Sequence, residues 1–263
     1  MTIKVAVAAH KPYRMPSDPV YLPLQVGAAG KQPICAPGGG AEFARDDAGE
    51  NISGRNANWC ELTGLYWAWK NLDADAIGLV HYRRHFRGAR GEVSGAELER
   101  ILAKADAVLP KKRNYFIETT YSQYVHAHHA QDLDATRAII AERHAAFLPA
   151  FDASMKSTRG HRFNMFVMRR RLFDEYCTWL FDILMELERR LDISSYSPYD
   201  ARVFGFVGER LLDVWLGGRS SKAVVAELPV IHLEGQHWPR KIAEFLRRKF
   251  RGRTQPSGPC SRS

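Results

Sequence analysis

A short apolar run of strand type, Ile77-Gly-Leu-Val80, ends in His81-Tyr82-Arg83-Arg84-His85-Phe86. Ligands of open α/β sheets sit beyond the carboxyl ends of the strands. Adjacent guanidinium groups at such an end suit a diphosphate, which each can hold through paired hydrogen bonds. The same residues also fit a solvated strand end. Comparable groups recur along the chain. His10 and Lys11 follow a first apolar run, Ile3 to Ala9, that Pro12 closes. Lys111, Lys112 and Arg113 follow Ala107 to Leu109 and Pro110. His126, His128 and His129 lack the usual zinc spacing, so a substrate-contacting loop suits them better than a metal site, and structural hydrogen bonding is the plain alternative. Asn51, Asn56 and Asp47 offer the donors and acceptors that a base or ribose requires, although turn-forming propensity explains the same residues.

The elements that must position these groups can be read from periodicity. A buried strand is expected over 3–9, then a long Gly-, Pro- and Asn-rich loop over 27–58. A helix is expected over 58–72, capped by Asn58 with Glu61, with Leu62, Leu65, Tyr66 and Trp69 inward and Trp67 off that stripe. Strands follow at 76–80, 107–109 and 164–168, and helices at 95–104, 132–146 and 170–191. Another helix is expected to open at Gly208-Glu209 and run to 216, before a last strand over 224–231 that Pro229 interrupts. The alternation predicts an α/β fold with a mainly parallel central sheet flanked by helices.

The 263 residues carry a net charge of +9, so anionic partners are expected. Much of the excess lies in a tail, 240–253, where Ile242, Phe245, Leu246 and Phe250 can share one helix face. That helix would lie on an anionic membrane or pack as a final core helix. Residues after Thr254 have a disordered composition. No run is long enough to span a bilayer, the first residues do not read as a signal peptide, and the four cysteines are scattered. A cytoplasmic protein with reduced thiols, peripheral at the inner face of the membrane, is the expectation. The basic residues form no nucleic-acid reading motif, so no nucleic-acid partner is expected.

Eight stretches in one order, spanning roughly 4–231, carry a resemblance. The first four are Ala8-Ala9-His10-Lys11-Pro12-Tyr13, Asn51-Ile52-Ser53, Cys60-Glu61-Leu62-Thr63 through Trp67-Ala68-Trp69-Lys70-Asn71, and Gly78-Leu79-Val80-His81-Tyr82-Arg83-Arg84. The others are Leu109 to Tyr115, Tyr124 to Asp134 with its histidines, Asn164-Met165-Phe166, and Arg202-Val203-Phe204-Gly205-Phe206 through Glu209-Arg210-Leu211. Together they resemble a bacterial glycosyltransferase family of capsule, exopolysaccharide and O-antigen synthesis, formerly a domain of unknown function and now credited with galactofuranosyl transfer. The resemblance implies one GT-A-like domain over 1–239, with a nucleotide-binding half at about 1–115 and an acceptor-binding half at about 116–239. It implies a UDP-linked donor, UDP-galactofuranose first, a lipid-linked glycan acceptor and an inverting reaction. The loop at 27–46 departs from the family and bears on acceptor choice.

Inverting transfer needs a base, stabilisation of the leaving diphosphate and a held sugar. Many GT-A enzymes use Asp-x-Asp and a divalent metal; the comparable strand end here has no carboxylate. Arg83 and Arg84, with Lys11 or Lys111 to Arg113, are therefore expected to replace the metal's charge, so that no cofactor is needed. A Mn or Mg ion held by Asp46, Asp47 or the histidines is the alternative. His10, Lys11, Asn51, His81, Tyr82, Arg83, Arg84, Lys111 and Arg113 form the expected donor set. His126, His128, His129, Asn164, Arg202, Gly205 and Arg210 form the rest of the substrate site. Gly205 would admit a sugar close to the backbone, or merely loosen a turn. Glu209 stands where inverting enzymes of this fold often carry their base. A first-turn glutamate complementing a helix dipole is the alternative, and Asp200 and Asp132 are the next candidates. Arg210 replaces the aspartate often found after it. His232 to Trp238 holds a short His-x-x-Gly match to a segment that closes over the diphosphate in some retaining transferases. A non-catalytic nucleotide- or glycan-binding protein would share these charges without a base.

Overall fold

The computed structural model describes residues 1–38 and 40–233; the tail at 240–263 and most of the 232–238 motif lie outside them. Among the described residues, twelve strands and eight α-helices follow in order. The first part holds β1 (Ile3–Ala9), β2 (Tyr21–Gln25), β3 (Ala44–Arg45), α1 (Asn56–Trp59), α2 (Leu62–Asn71), β4 (Ala76–His81), β5 (Arg84–Gly88), β6 (Gly91–Glu92), α3 (Gly95–Leu102), β7 (Ala107–Pro110) and β8 (Arg113–Asn114). The second holds α4 (Thr120–Val125), α5 (Ala130–Arg143), α6 (Leu148–Lys156), β9 (Arg159–Gly160), β10 (Phe166–Arg169), α7 (Arg170–Arg190), α8 (Val203–Gly218), β11 (Val225–Leu228) and β12 (Val230–His232).

The main sheet runs β11-β7-β10-β4-β1-β2-β3. Its neighbours are parallel except around β10, which runs against both β4 and β7. The carboxyl ends of β1, β2, β4 and β7 and the amino end of β10 therefore share one edge. Alternation along β1 sends Ala6 and Ala8 to one face and Val5 and Val7 to the other. The first face packs on α2, α7 and α8 through Leu65, Phe173, Tyr176, Leu180 and Leu211. The second is covered by Phe86 and by Leu98 and Leu102 of α3, whose Ser94 and Glu97 form a capping box.

Three departures from the sequence reading have identifiable causes. The helix expected over 58–72 is broken: Cys60 adopts a left-handed φ of 53° between α1 and α2. The Asn58–Glu61 box does not form, because Asn58 Nδ2 donates to Ala201 O and Glu61 Oε1 accepts from Asn164 Nδ2. β2 was hidden by Pro23. Val26 N–H donates to Ala9 O, so even-numbered residues of β2 face β1, and Pro23 faces the side where short β3 pairs only Leu24 and Gln25. Finally, α8 begins at Val203, six residues before Glu209.

The long loop after β2 is tied down by one buried carboxylate. Asp46 accepts from Gly27 N and Ala28 N at 2.8 and 2.9 Å, from Ser53 Oγ at 2.5 Å and from Thr63 Oγ1 at 2.6 Å. These bonds fix the turn after β2 against the start of α2. Asp46→Ala would strand four donors and is expected to lower the unfolding free energy by about 3 kcal/mol in urea titrations. An unchanged midpoint and slope would contradict the strap.

Candidate active site

The shared strand edge opens into a cleft of about 350 Å³. β1 brings His10 to it, the turn after β4 brings Tyr82 and Arg83, and the break between α1 and α2 brings Cys60 and Glu61. Arg202, from the turn before α8, closes the opposite side and sets its Nε 3.1 Å from Cys60 Sγ. Gly27 turns the chain at a φ of +61°, and a Cβ there would lie 2.5 Å from the Asn56 side chain that lines the wall. Glycine is required at that point.

Cations dominate the cleft. Lys11 Nζ lies 5.5 Å from the centre of the Tyr82 ring, and Arg83 sets its guanidinium 5.2 Å over the same ring. Burial lowers the pKa of His10, and Arg83, Lys11, Lys31 and Arg202 lower it further, so the imidazole is neutral at neutral pH. Its Nε2 lies 3.4 Å from Tyr82 OH. Burial likewise pushes the Cys60 thiol up to about 11, which leaves it protonated and without nucleophilic character. Glu61 is the one carboxylate among the described lining residues.

Strained backbone underlies the cleft floor, behind the lining residues His81 and Glu61. Phe163 and Asn164 hold φ values of 81° and 49° just before β10, and such residues persist only where their surroundings over-determine them. Here four partners do so. His81 Nε2 bonds Phe163 O, and Phe163 N donates to Glu209 Oε1 at 2.6 Å. Asn164 Nδ2 donates to Glu61 Oε1 at 2.7 Å and reaches Gly205 O at 3.2 Å. His161 donates its backbone N–H to Asp213, and its Nδ1 lies 2.6 Å from the same carboxylate. His81 is half-buried: burial lowers its pKa against the pull of Glu61, whose Oε1 is 4.0 Å away.

Glu209 does not open a helix. It lies inside α8, so the helix-dipole reading fails. Burial opposes its charge, but Arg210, Arg162, the Phe163 N–H and His81 together hold the carboxyl below its ordinary value. Arg210 NH1 donates to Glu209 Oε2 at 2.6 Å, to Phe206 O at 2.8 Å, and NH2 reaches Gln123 Oε1 at 3.0 Å. Arg210 is therefore a buried bracket between α8 and α4.

The histidine stretch and the other two carboxylates form a second cluster beside Arg202. His128 is buried, stacks on Phe206 at 4.2 Å and lies 3.4 Å from Asp200 Oδ1. His129 stacks on Tyr196 at 4.1 Å, with Nε2 3.7 Å from Asp200 Oδ2. Asp132 accepts from Tyr124 OH at 2.8 Å and Tyr196 OH at 2.5 Å. Burial raises its pKa despite both bonds. His126 stands apart, paired with Glu118 at 2.7 Å.

Other sequence candidates fall elsewhere. Arg83 lines the cleft but Arg84 lies 4.6 Å over the Phe163 ring, so the adjacent guanidiniums diverge. His85 and Phe86 of the same cluster are core residues of β5, and burial lowers the His85 pKa to about 4. Lys111 and Arg113 are exposed on the far side of β10, Arg113 lying 5.7 Å over Tyr115. Asn51 bonds Asp47 O, Gly49 O and Ser53 N within its own loop. Gly205 lies in α8 rather than in a turn; a Cβ there would meet Cys60 at 3.1 Å, so it serves helix packing. Trp67, off the apolar stripe, is nonetheless buried and donates to Ala48 O. Asp46 is saturated by its four donors and Asp47 is paired with Arg45. No three His, Cys, Asp or Glu side chains among the described residues converge as a metal site. These donors do not fit a Mn or Mg ion. The sequence reading missed Glu61, which it assigned to a helix cap, and Phe163, whose backbone role no side-chain pattern signals.

Residues 4–220 match the family model described as a domain of unknown function, DUF4422. The apo structure of the WbbM bifunctional glycosyltransferase is similar at 28% identity and a TM-score of 0.80, over 89% of this chain and 46% of that one. The chain thus spans about half the length of that neighbour. No curated protein matches it. The central sheet, parallel but for β10 and flanked by helices, has a GT-A-like glycosyltransferase fold. With most of its length matched, the chain belongs to the DUF4422 family.

Proposed function

We propose that the chain is an inverting glycosyltransferase of surface-polysaccharide synthesis. It moves galactofuranose from UDP-galactofuranose to a lipid-linked glycan, as a peripheral protein of the inner membrane face. The observation that carries this reading is the cationic cleft at the carboxyl edge of the GT-A-like sheet. Similarity to a bifunctional glycosyltransferase supports it. In the proposal the first half of the fold holds the nucleotide and the second half the acceptor.

The acceptor hydroxyl oxygen bonds the anomeric carbon as the bond from that carbon to the UDP phosphate oxygen breaks. A carboxylate takes the hydroxyl proton, and UDP leaves with the electron pair. Arg83, Lys11 and Arg202 supply the positive charge that a leaving diphosphate needs. Neutral His10 and Tyr82 offer hydrogen bonds rather than charge. Glu209 is the proposed base: it is ionised at neutral pH, and its side chain is 20% exposed beside the cleft floor. Glu61 is the second candidate because it lines the cleft itself.

The defining experiment measures UDP released from UDP-galactofuranose, UDP-galactopyranose and other nucleotide sugars with a lipid-linked galactosyl acceptor, each with and without divalent metal. Acceptor-dependent release from the furanose donor is expected. Release from another donor alone would overturn the sugar assignment, and UDP binding without release from any donor would favour a non-catalytic binder.

Arg83→Gln is expected to lower kcat/KM for the donor by about 100-fold, the scale of losing one charged contact to a developing anion. A tenth of that loss or less in folded protein would remove Arg83 from the site. Glu209→Gln is expected to lower kcat by about 1,000-fold with little change in donor KM. If Glu61→Gln shows that loss instead, the base is Glu61.

Glu209 also sets a pH dependence of stability. Its folded pKa is depressed below 4.5, so its contribution is complete above that value and is lost as pH falls through the folded pKa. Glu209→Gln should therefore melt lower than wild type at neutral pH, with the gap closing below pH 4.5. A gap that stays constant across that range would contradict the ionised contacts.

A further inference from the structure

The connection after β7 ends in an exposed tip. Phe116 and Ile117 are 81% and 68% exposed, the highest values among the large hydrophobic side chains of the described residues. The tip is held rigidly. Phe116 adopts a left-handed φ of 58°, its N–H donates to Asn114 Oδ1 at 2.9 Å, and Ile117 N closes on Tyr115 O at 2.7 Å. Tyr115 N is anchored on Thr158 O, and Tyr115 OH accepts from Arg162 Nε at 3.1 Å. A bulky residue in this conformation is strained, and here the strained residue presents an aromatic ring to solvent.

The surroundings of the tip are basic. Lys111, Lys112 and Arg113 lead into it and are exposed. Arg159, also exposed, pairs with Asn114 across β8 and β9. The nearby acid, Glu118, is 5% exposed and bonded to His126. Two projecting apolar groups ringed by cations match a bilayer of anionic lipid: the side chains enter the acyl boundary while the cations meet headgroup phosphates. An acidic protein groove would take the cations but has no need of two unsheltered apolar groups on a strained turn.

We propose that Lys111–Ile117 is a membrane-docking wedge for anionic bilayers. Its placement gives this a functional consequence. The wedge and the cleft floor are joined through Tyr115 and Arg162, next to Phe163, and both lie on the carboxyl edge of the sheet. Docking there sets the cleft close to the bilayer surface, where a lipid-linked acceptor would be. That consequence rests on the proposed transfer reaction, but the wedge does not, because vesicle binding needs neither donor nor acceptor.

The test is flotation of the full chain with phosphatidylglycerol-containing vesicles and with pure phosphatidylcholine vesicles. Wild type is expected to bind the anionic vesicles, with binding reduced by added salt. Phe116→Ser/Ile117→Ser is expected to weaken binding by about tenfold or more, with an unchanged melting temperature and unchanged turnover of donor with a soluble acceptor. Phe116→Trp should shift its emission to the blue with anionic vesicles. Binding by the double variant equal to wild type would overturn the wedge and assign any membrane contact to another segment, such as 240–253. Absence of wild-type binding would also overturn it. So would a wild-type dimer, seen by sedimentation, that the double variant abolishes without any vesicle binding, since a second copy would then cover the tip. Failure of sugar transfer with intact vesicle binding would count against the transferase reading alone.

Discussion

Two left-handed residues, Phe163 and Asn164, hold the site together. Their backbone and side chains link His81 at the end of β4, Glu61 at the break before α2, and Glu209 within α8. None of these elements is adjacent to another in sequence. Each contact is a hydrogen bond to a buried or half-buried polar group, the class that is most damaging to leave unmade. Relaxing that turn into ordinary strand geometry would move His81, release Glu61 and leave Glu209 facing Arg210 alone. The strain is thus tolerated because four partners fix it, and it lies where the cleft needs its floor.

Charge is divided accordingly. Behind the cleft the ions are paired: Glu209 with Arg210 and Arg162 with Asp213. The rim, by contrast, gathers Lys11, Arg83 and Arg202 around a single lining carboxylate. Burial reinforced by those cations keeps the His10 imidazole neutral, whereas burial and Arg84 lower the His81 pKa against the pull of Glu61 and Glu209. The arrangement leaves net positive charge facing the opening, where an anionic ligand would neutralise it.

Much of this was legible from residue order. Apolar runs marked β1, β4, β7 and β10, and a stripe at helical spacing marked α7 almost to the residue. The strand-end rule then led to His10, His81, Tyr82 and Arg83, all of which line the cleft or flank it. What failed did so for reasons outside local pattern. The Asn58–Glu61 pair has the form of a cap, but tertiary partners at Ala201 and Asn164 claim both side chains. The expected helix started at Gly208-Glu209, with Gly205 read as admitting a sugar or loosening a turn before it. Instead, Gly205 lets α8 pack against Cys60, and Gly208 lies beside Leu62. Arg83 and Arg84 were adjacent in sequence, yet a turn and a new strand between them send one to the cleft and the other over Phe163. Backbone roles such as that of Phe163 leave no side-chain signature at all.

The central claim is that the rim cations receive a nucleotide diphosphate. A crystal structure of the full chain soaked with UDP tests it most directly. The account predicts diphosphate oxygens within hydrogen-bond distance of Arg83 and Lys11, with the Phe163–Asn164 turn unchanged beneath them. UDP bound away from the β1 and β4 strand ends, or contacting neither cation, would contradict it.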